Sequence, residues 1–440
     1  MSARFPPSLS FVVRLQIAYY LLIALFVATL AGPFLPENLV QHAVHITSAL
    51  LLTVVATTAS PMELSDARLS ARRCAAAMLV PIAWMLIQLV PLPFASLENP
   101  IWSITALALN EPSLLGRVST NAGSTLTALA WFLTILSLAL STVILTKDRR
   151  RAEILLFVLT AVGTLWTAAD LLGNLALIPA FGPLDGHSSI GLIAAVGNVA
   201  IITMTIERQA RRADKSLASV FSRVGVALLG IATASASLIV RGNTQMLAFF
   251  SLGVAVLVLI AIARRIEIAP WASTVIATAL AGIIGWVVLS ITNPSLSVNA
   301  LGATQSAAAN SIAVAQRALA GASWLGGGVG TFEQLARVYG DFGDMPTPAP
   351  PSTAALIIIE WGRLALPLLL ICALQIFFVV ARGAIARGRD SFFSSYAAAI
   401  VAMSVAEAFS NHSLLDPLTQ ILLAGTVGLG ISQSIGKTSG

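Results

Sequence analysis

Five arginines stand apart from the other basic residues of this chain: Arg117, Arg241, Arg317, Arg337 and Arg363. Each lies between or at the edge of long apolar runs, and each alone reads as a solvated loop charge. As a set they contain no lysine. A guanidinium presents a planar fork that grips phosphate in two places, whereas an ammonium acts as a point charge. Together they suit a phosphate or pyrophosphate ligand. Two acids fall inside apolar runs, Glu360 in "ALIIIEWGRLAL" and Glu407 in "AMSVAEAFS". Ionisable groups in such runs pair with one another or face a polar cavity, and are functional candidates by default. Glu360 and Arg363 are three residues apart, so on one helix they share a face, either as part of a site or as a salt bridge that positions helices. In "NHSLLDP" (411–417), His412 and Asp416 are four apart. That segment reads either as a capping turn built from Asn411, Ser413 and Asp416, or as a source of a general base for a sugar hydroxyl. No HExxH, Cys/His cluster or G-x-S-x-G is present, so metal-dependent and serine hydrolysis have no support.

The elements that must carry these groups are membrane helices. Of 440 residues, 57% are hydrophobic and 10% charged, with a mean hydropathy of +0.89. Soluble domains carry about 25% charged residues, so this chain cannot cover a water-facing surface. Cys74 and Cys372 imply no disulfide framework. A crossing helix needs about 20 mostly apolar residues, which gives twelve candidate spans near 15–34, 39–59, 75–92, 124–146, 153–177, 188–206, 223–240, 244–263, 271–292, 353–380, 391–409 and 418–435. The first is read as a retained helix and not a cleaved signal. With both termini in the cytoplasm, 20 of the 25 Lys and Arg residues fall on the cytoplasmic side, including "KDRRR" (147–151) and "ERQARRADK" (207–215). That asymmetry follows the positive-inside rule and places the five arginines, and all four histidines, at the outer face.

Three regions result: spans one to nine (1–292), a long outer loop (293–352) and spans ten to twelve (353–440). A loop of that length is functional or disordered, and this one has helical content. "ATQSAAANSIAVAQRALAGASWL" (303–325) is alanine-rich and carries Arg317; "GGGVG" (326–330) breaks it. Phe332, Leu335, Val338 and Tyr339 then recur at helical spacing, and such amphipathic faces can lie along a membrane surface. The glycine run reads either as a phosphate cradle or as a hinge between helices.

Several segments together resemble the O-antigen ligase and polysaccharide polymerase superfamily of bacterial inner membranes. "WMLIQLVPLPFASL" (84–97) with "STNAGSTLTALAWFL" (119–133) is similar to an early outer loop of the exopolysaccharide members. "RGN" (241–243) resembles the family's "SRG" turn, "RALAGASWLGGGVGTFE" (317–333) its arginine–aromatic–G-x-G-x-F loop, and "NHSLLDPLTQILLAGTVGLG" (411–430) its closing segment. The resemblance implies an all-α, GT-C-like fold of about twelve transmembrane helices with one long, partly helical periplasmic loop. It implies transfer of glycan from an undecaprenyl-pyrophosphate donor to a saccharide acceptor at the periplasmic face, with no metal, cofactor or nucleic acid. By position, Arg241 and Arg317 would hold the donor phosphates, supported by Arg363, Arg337 and Asp416. The ligases carry an H-x-x-N motif eight or so residues before an E-x-G; here Glu360 and Gly362 are present, but Pro351 and Ser352 occupy the histidine–asparagine region. Glu360 first and His412 second are the expected replacement bases. The expectation is a polymerase in preference to a ligase, working with the bilayer and other polysaccharide-assembly proteins. The rivals are a transporter or flippase of lipid-linked saccharide, and an inactive family member in an export complex.

Overall fold

The computed structural model describes residues 9–59, 72–91, 97–111, 113–175, 188–211, 217–241, 245–265, 309–340, 350–386 and 391–434, with scattered positions at 64–65, 68–69, 274–275, 278–279 and 282. Among the described residues every regular element is helical. In chain order the helices are α1 (Leu9–Ala28), α2 (Glu37–Thr58), α3 (Ala75–Leu89), α4 (Pro100–Leu109), α5 (Ala122–Leu145), α6 (Arg149–Asn174), α7 (Ser188–Arg211), α8 (Leu217–Val240), α9 (Gln245–Arg265), α10 (Ala309–Ala320), α11 (Phe332–Tyr339), α12 (Thr353–Glu360), α13 (Ala365–Ala386), α14 (Phe392–Glu407) and α15 (Pro417–Ser434). Eight of them, α1, α2, α5 to α9 and α13, are long and apolar enough to cross a membrane. The protein is therefore an all-α membrane protein. The expected span at 271–292 lies mostly outside the described residues.

Polar residues at the helix ends mark where the apolar runs stop. Asn121 caps α5 by accepting from Gly123 N and Ser124 N, and Asp148 caps α6 by accepting from Arg150 N. These bonds satisfy amides that have no partner inside the helix. The centre of the bundle is α14, almost wholly buried and packed by α7, α9, α13 and α15. Its run of alanines and the glycines of α15 let backbones approach, as small residues do between membrane helices. A Cβ added at Gly430 would lie 2.2 Å from Ala397 Cβ.

One expected span is not a single helix. Residues 353–380 divide into α12 and α13, with a turn at Trp361–Leu364. The cause is Gly362, whose φ of +95° is left-handed and cannot continue a helix. Glu360 and Arg363 therefore do not share a helix face. The amphipathic loop helices also differ from expectation. Their apolar residues close on one another: Val314 and Ala318 of α10, Phe332 and Ala336 of α11, and Ile359 of α12 form a small separate core. Val338, expected on that apolar stripe, is 72% exposed.

Candidate functional site

The glycine run is the knot that holds one end of the bundle together. Gly326, Gly328 and Gly330 all have positive φ, at 84°, 108° and 79°. Gly326 faces Gly362 backbone to backbone: a Cβ on Gly326 would meet Glu360 O at 2.2 Å, and one on Gly362 would meet Trp324 O at 2.3 Å. Gly327 N donates to Ile359 O and Gly328 N to Glu360 O, both at 3.0 Å. Val329 N donates to Gln88 Oε1 (3.1 Å), and Gln88 Nε2 donates to Leu325 O (2.7 Å) and Glu360 O (3.0 Å). The amides from Gly327 to Gly330 are thus engaged within the protein. The geometry is a tether and not an open phosphate cradle.

Glu360 completes that tether. Its side chain is buried, Oε2 accepts from Gly330 N (2.9 Å) and Oε1 from Phe332 N (2.7 Å), the first amide of α11. Glu360 lies at the end of α12, outside the eight spanning helices. Burial pushes its carboxyl up to about 7, against the downward pull of the loop amides.

The four arginines expected to bind the ligand fall into two groups. Arg317, Arg337 and Arg363 are exposed around the knot. Arg317 Nη1 donates to Tyr339 O (2.8 Å), Arg363 Nη2 to Leu319 O and Ala320 O (both 3.4 Å), and Arg337 pairs with Glu333 at 2.5 Å. Arg241 is held elsewhere, at the end of α8 against α6. Its guanidinium grips Asp170 with two donors, Nε to Oδ2 at 2.9 Å and Nη2 to Oδ1, and Ser237 Oγ donates to the same Oδ2 at 2.6 Å. A phosphate at Arg241 would have to compete with that carboxylate. Gly242 and Asn243 of the "RGN" turn lie outside the described residues.

His412 and Asp416 flank a short 3-10 turn, Ser413–Leu415. Asp416 caps α15, accepting from Thr419 N (2.9 Å) and Thr419 Oγ1 (3.0 Å). His412 is partly buried, and desolvation lowers its imidazole below the ordinary histidine range. Ser352, where the ligase pattern has its histidine region, caps α12 by accepting from Ala355 N (3.1 Å). Among the described residues no group of three or more His, Cys, Asp and Glu forms a metal site.

A cavity near these groups was not expected from sequence. A cavity of about 520 Å³ runs between α3, α5, α13 and α15, from Cys74 and Ile431 at one end to Gly330, Glu360 and Gln420 at the other. Its walls are side chains such as Met78, Phe132, Ile135 and Leu423. The polar groups at its mouth are engaged: Gln420 Oε1 accepts from Trp131 Nε1 (2.6 Å), and Gln420 Nε2 donates to Leu414 O and Leu415 O. Such a space suits a hydrocarbon chain. A saccharide would leave its hydroxyls without partners there. Asp170, Gln88 and Gln420 are the site residues that sequence reasoning missed. Each is a polar residue within an apolar helix, and that is the signal that could have flagged them.

The chain matches no family model, and no curated protein matches it in sequence.

Proposed function

We propose that the protein is a membrane glycosyltransferase that takes saccharide from an undecaprenyl-pyrophosphate-type carrier and joins it to a saccharide acceptor at the periplasmic face of a bacterial inner membrane. Polymerisation is preferred to ligation, on the resemblance to exopolysaccharide members. The observation that supports the reading is the apolar cavity that ends at Gly330 and Glu360, beside the loop bearing Arg317 and Arg337 and the turn bearing Arg363. The carrier's isoprenoid would lie among α3, α5, α13 and α15, with its diphosphate at the loop end. Exposed guanidinium groups there would offset the charge that develops as the lipid pyrophosphate leaves.

The reaction exchanges one carbon–oxygen bond for another and moves one proton. The acceptor hydroxyl attacks the anomeric carbon, the carbon–oxygen bond to pyrophosphate breaks, and the hydroxyl proton passes to a base. Each Glu360 oxygen accepts one of the loop amides and keeps a second lone pair, so the carboxylate can take that proton while still holding Gly330 and Phe332. His412, whose imidazole is lowered by burial, is the second candidate acceptor.

The test is reconstitution of the full chain in proteoliposomes with an undecaprenyl-pyrophosphate-linked oligosaccharide. Longer glycans with released lipid pyrophosphate support the proposal; movement across the bilayer without lengthening overturns it in favour of a flippase. Ile135→Trp and Leu423→Trp, which fill the cavity, should slow lengthening by about tenfold or more, equivalent to about 1.4 kcal/mol of lost carrier binding.

A further inference from the structure

Glu407 closes α14 at the loop end, fully buried, and the transferase reading makes no use of it. Its Oε1 accepts from Ser189 Oγ (2.7 Å), Ser413 Oγ (2.9 Å) and Asn411 Nδ2 (3.3 Å). Its Oε2 is buried without a hydrogen-bond partner. An ionised carboxylate left in that state is strongly penalised unless a cation compensates it.

Among the described residues, the elements packed on α14 bring no such cation to this end. Glu207, Arg208 and Arg211 lie in the last two turns of α7, Arg264 and Arg265 end α9, and Arg382 lies in the last two turns of α13, all remote from Glu407 along antiparallel or neighbouring helices. The helical residues of α15 include no charged side chain. On the turn before it, Asp416 is engaged with Thr419, and burial holds His412 in its neutral form. Glu360, at the far end of α12, is bound to the loop amides. Beyond Ser188, the charge of Asp170 is matched by Arg241.

The hydroxyls next to Glu407 form a chain. Ser413 Oγ lies 2.6 Å from Ser189 Oγ and accepts from Ser188 Oγ at 3.1 Å. Ser188 then lines a void of about 10 Å³ together with Asp170 and Ser237, room for about one water. We propose that Glu407 is a proton-binding site, carrying a proton on its carboxyl and exchanging it with the Asp170 side of the bundle through Ser413, Ser188 and one water. In the transfer, the Glu407 O–H turns to Ser413 Oγ, Ser413 passes its own proton to Ser188, and Ser188 passes its own to the water, which leaves as hydronium. The reverse hops restore the carboxyl, and nothing is oxidised or reduced. A metal cation fits poorly. Oxygen ligands about 2.4 Å from an ion stand more than about 3 Å from one another, whereas the Ser189, Ser413, Asn411 and Glu407 oxygens lie 2.6 to 2.9 Å apart in hydrogen-bonded contact.

Infrared difference spectroscopy on the full chain in nanodiscs tests this, with and without ¹³C-glutamate labelling. A protonated-carboxyl carbonyl band at neutral pH, sensitive to the label, kept in Glu360→Gln and lost when Glu407→Gln is added to Glu360→Gln, is the expected result. Ser413→Ala should keep the band and slow its hydrogen–deuterium exchange about tenfold or more. If Glu407→Gln does not fold, Glu360→Gln alone decides. With Glu360, the other glutamate buried among the described residues, removed, a labelled band is assigned to Glu407 and its absence overturns the proposal. A band that survives in folded Glu360→Gln/Glu407→Gln, or that disappears from Glu360→Gln on adding Na⁺ at fixed pH, overturns it too. These readings do not depend on glycan lengthening, so they stand or fall apart from the transferase proposal.

Discussion

Replacing Glu360 by alanine should loosen the glycine knot before it affects anything else. The carboxylate holds Gly330 N at 2.9 Å and Phe332 N at 2.7 Å, and the cavity beside it gives no other protein acceptor to those amides. A buried donor left without a partner costs about 1–3 kcal/mol, so two give about 2–6 kcal/mol. Water entering from the cavity would recover part of that, which places the expected loss near the lower end, about 2 kcal/mol. Local opening of residues 326–339 would then be about 30-fold more frequent, since about 1.4 kcal/mol is a factor of ten. Hydrogen–deuterium exchange with peptide-level mass spectrometry reads this directly. Peptides spanning the glycine run and the first turn of α11 should exchange about 30-fold faster, while those of α14 and α15 keep their protection. Glu360→Gln retains one acceptor oxygen and should show about half the free-energy loss. Unchanged protection over 326–339 in the alanine variant would falsify the tether.

Three further outcomes follow from other contacts. Asp170→Ala strands the mostly buried Arg241 charge and should cost about 3–5 kcal/mol, whereas the Asp170→Ala/Arg241→Ala double variant should regain a substantial part; additive losses in detergent thermal-stability assays would refute the pairing. Gly326→Ala puts a non-glycine residue at φ +84°, about 1–2 kcal/mol of strain, with its Cβ 2.2 Å from Glu360 O; fluorescence size-exclusion should show loss of the monodisperse peak, and a wild-type profile would count against the close approach. For pH, the folded Glu360 carboxyl sits at about 7 against an ordinary 4.5. Its contribution to stability is therefore full below the lower value and is lost as pH rises through the higher. Unfolding temperature should fall from about pH 5 to about pH 8 by the equivalent of about 3 kcal/mol at most, and Glu360→Gln should flatten that part of the profile.

Class and helix positions were legible because burying apolar side chains in a bilayer demands long uninterrupted runs. α5, α6, α7 and α9 begin and end within a few residues of the apolar runs that announced them. The break between α12 and α13 was hidden because hydropathy averages over Gly362, one residue whose conformation outweighs the apolar neighbours on both sides. Arg241 was legible as an unusual charge, but its partner Asp170 is 71 residues earlier on another helix, and no spacing rule connects them. The same holds for Gln88, which reaches Val329 across 241 positions. The amphipathic pattern of α11 was visible, but what it packs against depends on how α10 and α12 fold back over it. The cavity was beyond reach, because an empty volume is a property of four helices together.

The occupancy of that cavity is the central claim, and photo-crosslinking tests it most directly. A polyprenyl pyrophosphate bearing a diazirine on its isoprenoid chain, added to the full-length protein in nanodiscs, should label peptides of α3, α5, α13 and α15, including those containing Ile135 and Leu423. Label should fall in Leu423→Trp and on competition with unlabelled carrier. Labelling spread over the exposed faces of α2 and α8, unaffected by the tryptophan or by competitor, would contradict the account.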